Sequence, residues 1–284
     1  MVPVLFRVGG LDVPTHGFFV GLGTLAATVV FFLMARRRGR VTEDLGIIAA
    51  GTLVTGAIAA RLSTAWQYAD LTGDSPFNVW ARGGRSILGG LAGAYVGALV
   101  TKRLVGYRQH TGDLFAPGVA LGMAIGRWGC FFTEEPGTAT TLPWGIHVSP
   151  EAAARIPRCP ACAAGESMHP SFLYEIAFHA AMFGLLLWLR PRLRSNGGDL
   201  LKVYLLGYAL FRFAVEFVRG NDEVLAGLTR SQLLLLPATL LLALYFARHR
   251  RTADPAGRAA TDRVFTAAHG PGHHSSTRPT EVDE

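Results

Sequence analysis

Residues Gly126–Gly137 read GRWGCFFTEEPG and follow the apolar run Leu114–Ile125. That order sets Arg127 at or just inside a membrane boundary. An arginine there is expensive unless it faces a protein cavity, so its presence predicts a purpose. Small residues at Gly122, Gly126 and Gly129 let another backbone or a lipid headgroup come close. The rest of the chain reads as a chamber built around this arginine.

Composition points the same way. The chain has 284 residues, 17% of them charged, with a mean hydropathy of +0.30. This balance is too apolar for an ordinary soluble domain and predicts an all-α polytopic membrane protein. Its 34 glycines suit helices that pack closely in lipid. The net charge of +7 does not predict nucleic-acid binding, because the arginines cluster beside apolar runs and no aromatic-interleaved basic surface occurs. Three cysteines are too few for a disulfide scaffold. The first apolar segment lacks a basic leader and a cleavage site, so it reads as a retained helix.

Working outward from Arg127, seven apolar runs are long enough to span, at about residues 17–35, 45–62, 86–100, 114–132, 171–189, 200–218 and 231–247. The third is short and is expected to tilt little or to extend into Thr101–Leu104. The segment before the first run is mixed and is expected to lie at the interface. Basic residues follow the first run (Arg36, Arg37, Arg38, Arg40), the third (Lys102, Arg103, Arg108), the fifth (Arg190, Arg192, Arg194, Lys202) and the seventh (Arg248, Arg250, Arg251). With seven spans all four groups share one side, which the positive-inside rule makes the cytoplasm. The amino terminus is then outside and the carboxyl terminus inside. Arg82, Arg85, Arg155, Arg158, Arg219 and Arg230 fall on the outer side. The domain plan is a transmembrane region over 1–251 with an external loop at 133–170, and a polar tail at 252–284 expected to be disordered and cytoplasmic.

Several side chains are candidates for chemistry. Arg212 and Glu216 stand four apart in LFRFAVEFVRG and share a helical face. They are either a structural ion pair or an anion-binding arginine held by a carboxylate. Arg61, Arg127 and Arg212 make three embedded arginines, and forked guanidinium hydrogen bonds suit a phosphate, in a membrane that of a phospholipid headgroup. Tyr208, one turn before Arg212, is either a donor to the same ligand or an interfacial belt tyrosine. His169 opens HPSFLYE as either a general base or an ordinary hydrogen-bonding group, and Ser171 is expected to cap the helix that follows. Glu175 enters an apolar run and needs a partner, expected to be an arginine. Cys159 and Cys162 form a C-x-x-C, read as a disulfide, a redox pair or half a metal site, with the disulfide preferred on an oxidising side. Cys130 reads as a packed small residue. His16 starts the first helix in a functional or an interfacial role.

These motifs together resemble the prolipoprotein diacylglyceryl transferase family. The family signature reads roughly G-R-x-G-N-F-x-N-x-E-x-x-G, and Gly126–Gly137 is similar to it. Leu142-Pro143-Trp144-Gly145, His169–Glu175, Tyr208–Arg219 and Gln232-Leu233 also look like the family, in order, from about His16 to Pro237. The resemblance implies an enzyme of the bacterial plasma membrane. It would move a diacylglyceryl group from phosphatidylglycerol to the lipobox cysteine thiol of a prolipoprotein, with no metal or cofactor. Carried over by position, Arg127 and Arg212 would bind the phosphate, Glu216 would orient Arg212, Tyr208 would donate a hydrogen bond, and Gly137 would allow a tight loop. Arg61, Arg85 and His169 join the expected binding residues.

Departures from the pattern are specific. His16 stands where the family has tyrosine, and Leu88, in Arg85–Gly90, stands where it has the histidine of S-F-H-G-G. Cys130 and Thr133 replace two asparagines, and Phe172 replaces a glutamine. These changes leave a variant transferase, with His16 as substitute base, beside two other readings: a phospholipid-binding or lipid-handling relative without catalysis, and a membrane protein whose Cys159–Cys162 loop does redox work.

Overall fold

A computed structural model describes residues 2–72, 86–154, 156, 159–190 and 198–252. Helices occupy all seven of the predicted apolar runs: α1 (Thr15–Arg37), α2 (Glu43–Thr72), α3 (Ile87–Leu104), α4 (Gly112–Thr133), α7 (Ser171–Leu189), α8 (Asp199–Val215) and α9 (Arg230–Thr252). The third run does extend through Leu104. Two four-residue helices, α5 (Pro150–Ala153) and α6 (Pro160–Ala163), lie in the long loop. Among the described residues, Thr15–Arg37, Glu43–Ser63, Gly112–Thr133 and Ser171–Leu189 are long and apolar enough to cross a membrane. The calls on Arg82, Arg85, Arg155, Arg158, Arg192, Arg194 and the tail beyond Thr252 lie outside the described residues.

The helix-period reading overlooks three small antiparallel ladders. Residues expected to lie as an interfacial segment form β1 (Val4–Val8) and β2 (Leu11–Pro14), joined through Gly9 and Gly10 and closed by Arg7 Nε donating to Asp12 Oδ1 at 2.6 Å. β3 (Ile146–His147) pairs with β4 (Ser167–Met168) inside the loop, and β5 (Glu223–Leu225) pairs with β6 (Leu228–Thr229) before α9. These strands are too short for alternation to reveal them. The expected Ser171 cap is also corrected. Pro170 occupies the cap of α7 and Ser171 lies in its first turn without a side-chain cap bond.

The chain divides into two units, Met1–Leu233 and Leu234–Glu284. Within the first, α1 packs along α4 and α2 along α3, while α4 also meets α7 and α8. Lipid offers no hydrophobic drive between helices, so backbone proximity decides these seams. A Cβ on Gly23 would lie 2.5 Å from the Gly122 carbonyl oxygen, and one on Gly118 would lie 2.6 Å from that of Ala27. On the second seam a Cβ at Gly93 would strike Ala59 and one at Gly97 would strike Thr55. One buried apolar cluster joins Phe31, Met34 and Ala35 to Leu45, Ala49 and Leu114. Another joins Ala116 and Ala120 to Met182, Leu186, Leu200 and Tyr204. Asp113 accepts from the Leu200 backbone N–H at 2.9 Å, so α4 satisfies an orphan donor at the start of α8 and fixes its register.

Candidate active site

The signature stretch closes α4 and its arginine is buried. Arg127 is 4% exposed, and its Nη2 makes an ion pair with Glu175 Oε2 on α7. The alignment of that contact falls short of a hydrogen bond at Oε2. Glu175, fully buried, accepts from Arg219 Nη1 through its other oxygen at 2.7 Å. The partner expected for Glu175 is therefore two arginines. Burying a carboxylate without such pairing would be prohibitive.

From here six side chains close a ring. Arg219 Nη2 lies 3.9 Å from Glu134 Oε2, Glu134 Oε1 lies 3.7 Å from His16 Nδ1, and His16 Nδ1 lies 4.0 Å from Cys130 Sγ. Arg127 Nη1 donates to Cys130 Sγ at 3.6 Å and completes the circuit. Thus Cys130, buried as expected, is also a partner of Arg127. Thr133, at the other replaced asparagine, donates back to the Gly129 carbonyl at 2.8 Å. Phe172 lies against both cations, its centroid 5.8 Å from the Arg127 guanidinium carbon and 4.7 Å from that of Arg219. A cation–π face stands where the resemblance places an amide. A cavity of about 220 Å³ borders the ring, lined in part by Phe131, Phe132, Glu134, Ala152 and Phe172.

Arg212 enters from α8, 8% exposed, and pairs with Glu216 Oε2 one turn on. Glu216 Oε1 accepts from Asn221 Nδ2 and from Thr229 Oγ1, each at 2.8 Å. Gln232 accepts from the Thr229 N–H at 2.9 Å and donates to the Phe213 carbonyl at 3.1 Å. Such a satisfied buried network holds Arg212 in one place. Tyr208 is 2% exposed, which removes the belt reading. Its hydroxyl lies beside the Arg127 guanidinium but makes no aligned hydrogen bond among the described residues.

Other expected residues sit elsewhere. His169 Nδ1 contacts the Tyr174 hydroxyl at 3.1 Å, and that oxygen also accepts from Trp144 Nε1 at 2.8 Å. His169 is therefore tied to loop packing. Gly137 is where the loop is pinched: a Cβ there would collide with the Val218 carbonyl and lie 3.0 Å from His169 Cβ. Arg61 stands half-buried on α2, the partner of α3, rather than on the α4–α7–α8 group. Leu88 lies half-buried in the first turn of α3. Cys159 and Cys162 form the expected disulfide. The sequence reading gives no role to Arg219 or to His179. The first was present in the Tyr208–Arg219 motif, and the second stands four residues after Glu175 on the same helical face.

A family model described as prolipoprotein diacylglyceryl transferase matches residues 3–248. The chain belongs to that family. Similar relatives include a phosphatidylglycerol–prolipoprotein diacylglyceryl transferase of Trichormus variabilis, 33% identical over 270 residues, covering 89% of this chain and 92% of the relative. One from Gloeobacter violaceus is 33% identical over 246 residues, covering 84% and 89%. Another, from Fervidobacterium nodosum, is 31% identical over 233 residues, covering 78% and 76%. With its apolar helices, this diacylglyceryl transferase family member is a membrane protein.

Proposed function

We propose that this protein transfers a diacylglyceryl group from phosphatidylglycerol to the lipobox cysteine thiol of a prolipoprotein, as a multi-pass enzyme of the bacterial plasma membrane. The observation that carries the reading is Arg127. It is held by Glu175 and almost fully buried, yet its Nε has no hydrogen-bond partner among the described residues. An unsatisfied buried guanidinium N–H is an anion donor awaiting its acceptor. Arg212, fixed through Glu216, supplies the second fork, and Tyr208 donates to the same lipid.

Chemically, the acceptor thiolate attacks the glyceryl carbon next to the phosphate. A sulfur–carbon bond forms, the carbon–oxygen bond to phosphate breaks, and glycerol phosphate leaves. Arg127 and Arg212 stabilise the charge that grows on the leaving phosphate. His16, oriented by Glu134, takes the thiol proton through its imidazole and passes it to the departing phosphate. The apolar cavity beside Glu134 suits the side chains that flank the acceptor cysteine.

Expression in a strain depleted of its own diacylglyceryl transferase tests the proposal by lipid labelling of a lipoprotein precursor. Thioether-linked lipid on the lipobox cysteine is the expected result. Arg127→Ala and Arg212→Ala are each expected to lower transfer by about a hundred-fold or more, with His16→Ala as damaging. A well-inserted protein without labelling would overturn the transfer reading, and a fully active Arg127→Ala variant would remove the phosphate assignment.

A further inference from the structure

Below the arginines the same helices carry a second set of buried polar atoms, Tyr208 of the transfer scheme together with His179 and Tyr204, which that scheme does not use. His179 on α7 and Tyr204 on α8 are both fully buried, and Tyr208 nearly so. His179 Nδ1 contacts the Tyr204 hydroxyl at 3.1 Å. Its other nitrogen, Nε2, has no hydrogen-bond partner among the described residues, and neither has the Tyr208 hydroxyl. The two rings lie 5.0 Å apart. Leaving one such buried group unmade costs about 1–3 kcal/mol, so two neighbouring orphans indicate a missing acceptor or donor.

Position along the helices says what it is. His179 is one turn beyond Glu175 from the start of α7, and Tyr208 one turn before Arg212 from the end of α8. Each therefore lies about 6 Å deeper than the arginine layer. In a phospholipid the ester carbonyls lie one glycerol unit inside the phosphate, toward the hydrocarbon. A Tyr204 O–H that donates to Nδ1 leaves the proton on Nε2, so Nε2 and the Tyr208 O–H are both donors. Donors at that depth face acceptors, and carbonyl oxygens are the acceptors a diacyl lipid brings.

We infer that His179 and Tyr208 form a second binding point, which holds an ester carbonyl of a diacyl phospholipid while Arg127 and Arg212 hold its phosphate. This rests on the lipid-transfer reading above and deepens it. The site thereby measures the lipid at two points and selects the ester-linked diacylglyceryl portion. Tyr204 acts through His179, as a positioning residue.

The test compares diester phosphatidylglycerol with its diether counterpart, which keeps the phosphate and loses the carbonyls. The wild-type protein is expected to prefer the diester by about ten-fold in kcat/KM, the size of one or two lost hydrogen bonds. His179→Leu and Tyr208→Phe should bring the ratio to within two-fold, and His179→Gln, which keeps an N–H donor, should retain it. Tyr208→Phe removes one hydroxyl and keeps the packed ring, so it decides the matter should His179→Leu fail to fold. An unchanged ratio in Tyr208→Phe, or equal use of both lipids by the wild type, would overturn the inference. A wild-type protein that transfers from neither lipid would instead sink the transfer reading. The same ratio, measured as lipid binding in mixed micelles, would then decide the second point independently.

Discussion

Glu175 gives each of its oxygens to a different guanidinium, and the two cations it joins are far apart in the chain. Arg127 stands on α4, whereas Arg219 follows α8 in the chain. Remove the carboxylate charge and a buried and a half-buried cation are left beside an uncharged group. Breaking one partner of a buried pair costs about 3–5 kcal/mol, whereas an exposed pair is worth about 0–1 kcal/mol. Glu175→Gln should therefore lower the unfolding midpoint in detergent far more than Glu134→Gln, because the Glu134 side chain is 42% exposed. Equal shifts would show that Glu175 bears no special share of the load. Arg127, Arg212, Glu216 and Tyr208 were legible as site candidates because a polar group in an apolar run carries a cost that demands a reason. Arg219 escaped because it lies beyond the run, where a charge is ordinary. His179 escaped because a single histidine among apolar neighbours gives no sign of which nitrogen is left over.

Between elements, the decisive contacts are backbone against backbone. Gly137 lets the long loop cross the Val218 carbonyl one residue before Arg219, so a methyl group there pushes on the peptide that leads into Arg219. Gly137→Ala should cost about 1–3 kcal/mol as an overpacking change and should lower transfer as well. Gly126 is the contrasting case, since a Cβ on it meets nothing within 4 Å. Gly126→Ala should leave the midpoint unchanged or raise it by up to about 1 kcal/mol, the helix-propensity gain. A destabilised Gly126→Ala variant, or a tolerated Gly137→Ala, would contradict this account of the seams. The disulfide is a separate matter. Cys162 packs with Ala153 and Met168 in the loop's own small core, apart from the ring. Cys159→Ser should spare transfer, as measured by precursor labelling, and loss of activity would revive a redox role. The helices were readable because their apolar runs are long. The loop's ladders and short helices were not, because nothing periodic survives in segments of two to five residues.

For the molecule as a whole, the site and the basic belt occupy opposite sets of helix ends. His16 opens α1, Arg127 is near the close of α4, Glu175 near the opening of α7, and Arg212 near the close of α8. Arg36 and Arg37 end α1, Arg190 follows α7, and Lys202 lies in the first turn of α8. If the basic ends are cytoplasmic, the ring faces outward, toward exported precursors and an oxidising space for the disulfide. Seven crossings then place the two termini on opposite sides. Alkaline phosphatase fused after Ala164 should be active, and the same enzyme fused after Arg251 should be inactive, because it folds only outside the cytoplasm. Activity at both positions would mean an even number of crossings between them and would point to α8 or α9 as a helix that does not span. The reverse pattern would turn the ring toward the cytoplasm. His16 would then meet precursors before export, and the disulfide would need another oxidant, so a single pair of fusions tests both the topology and the chemistry built on it.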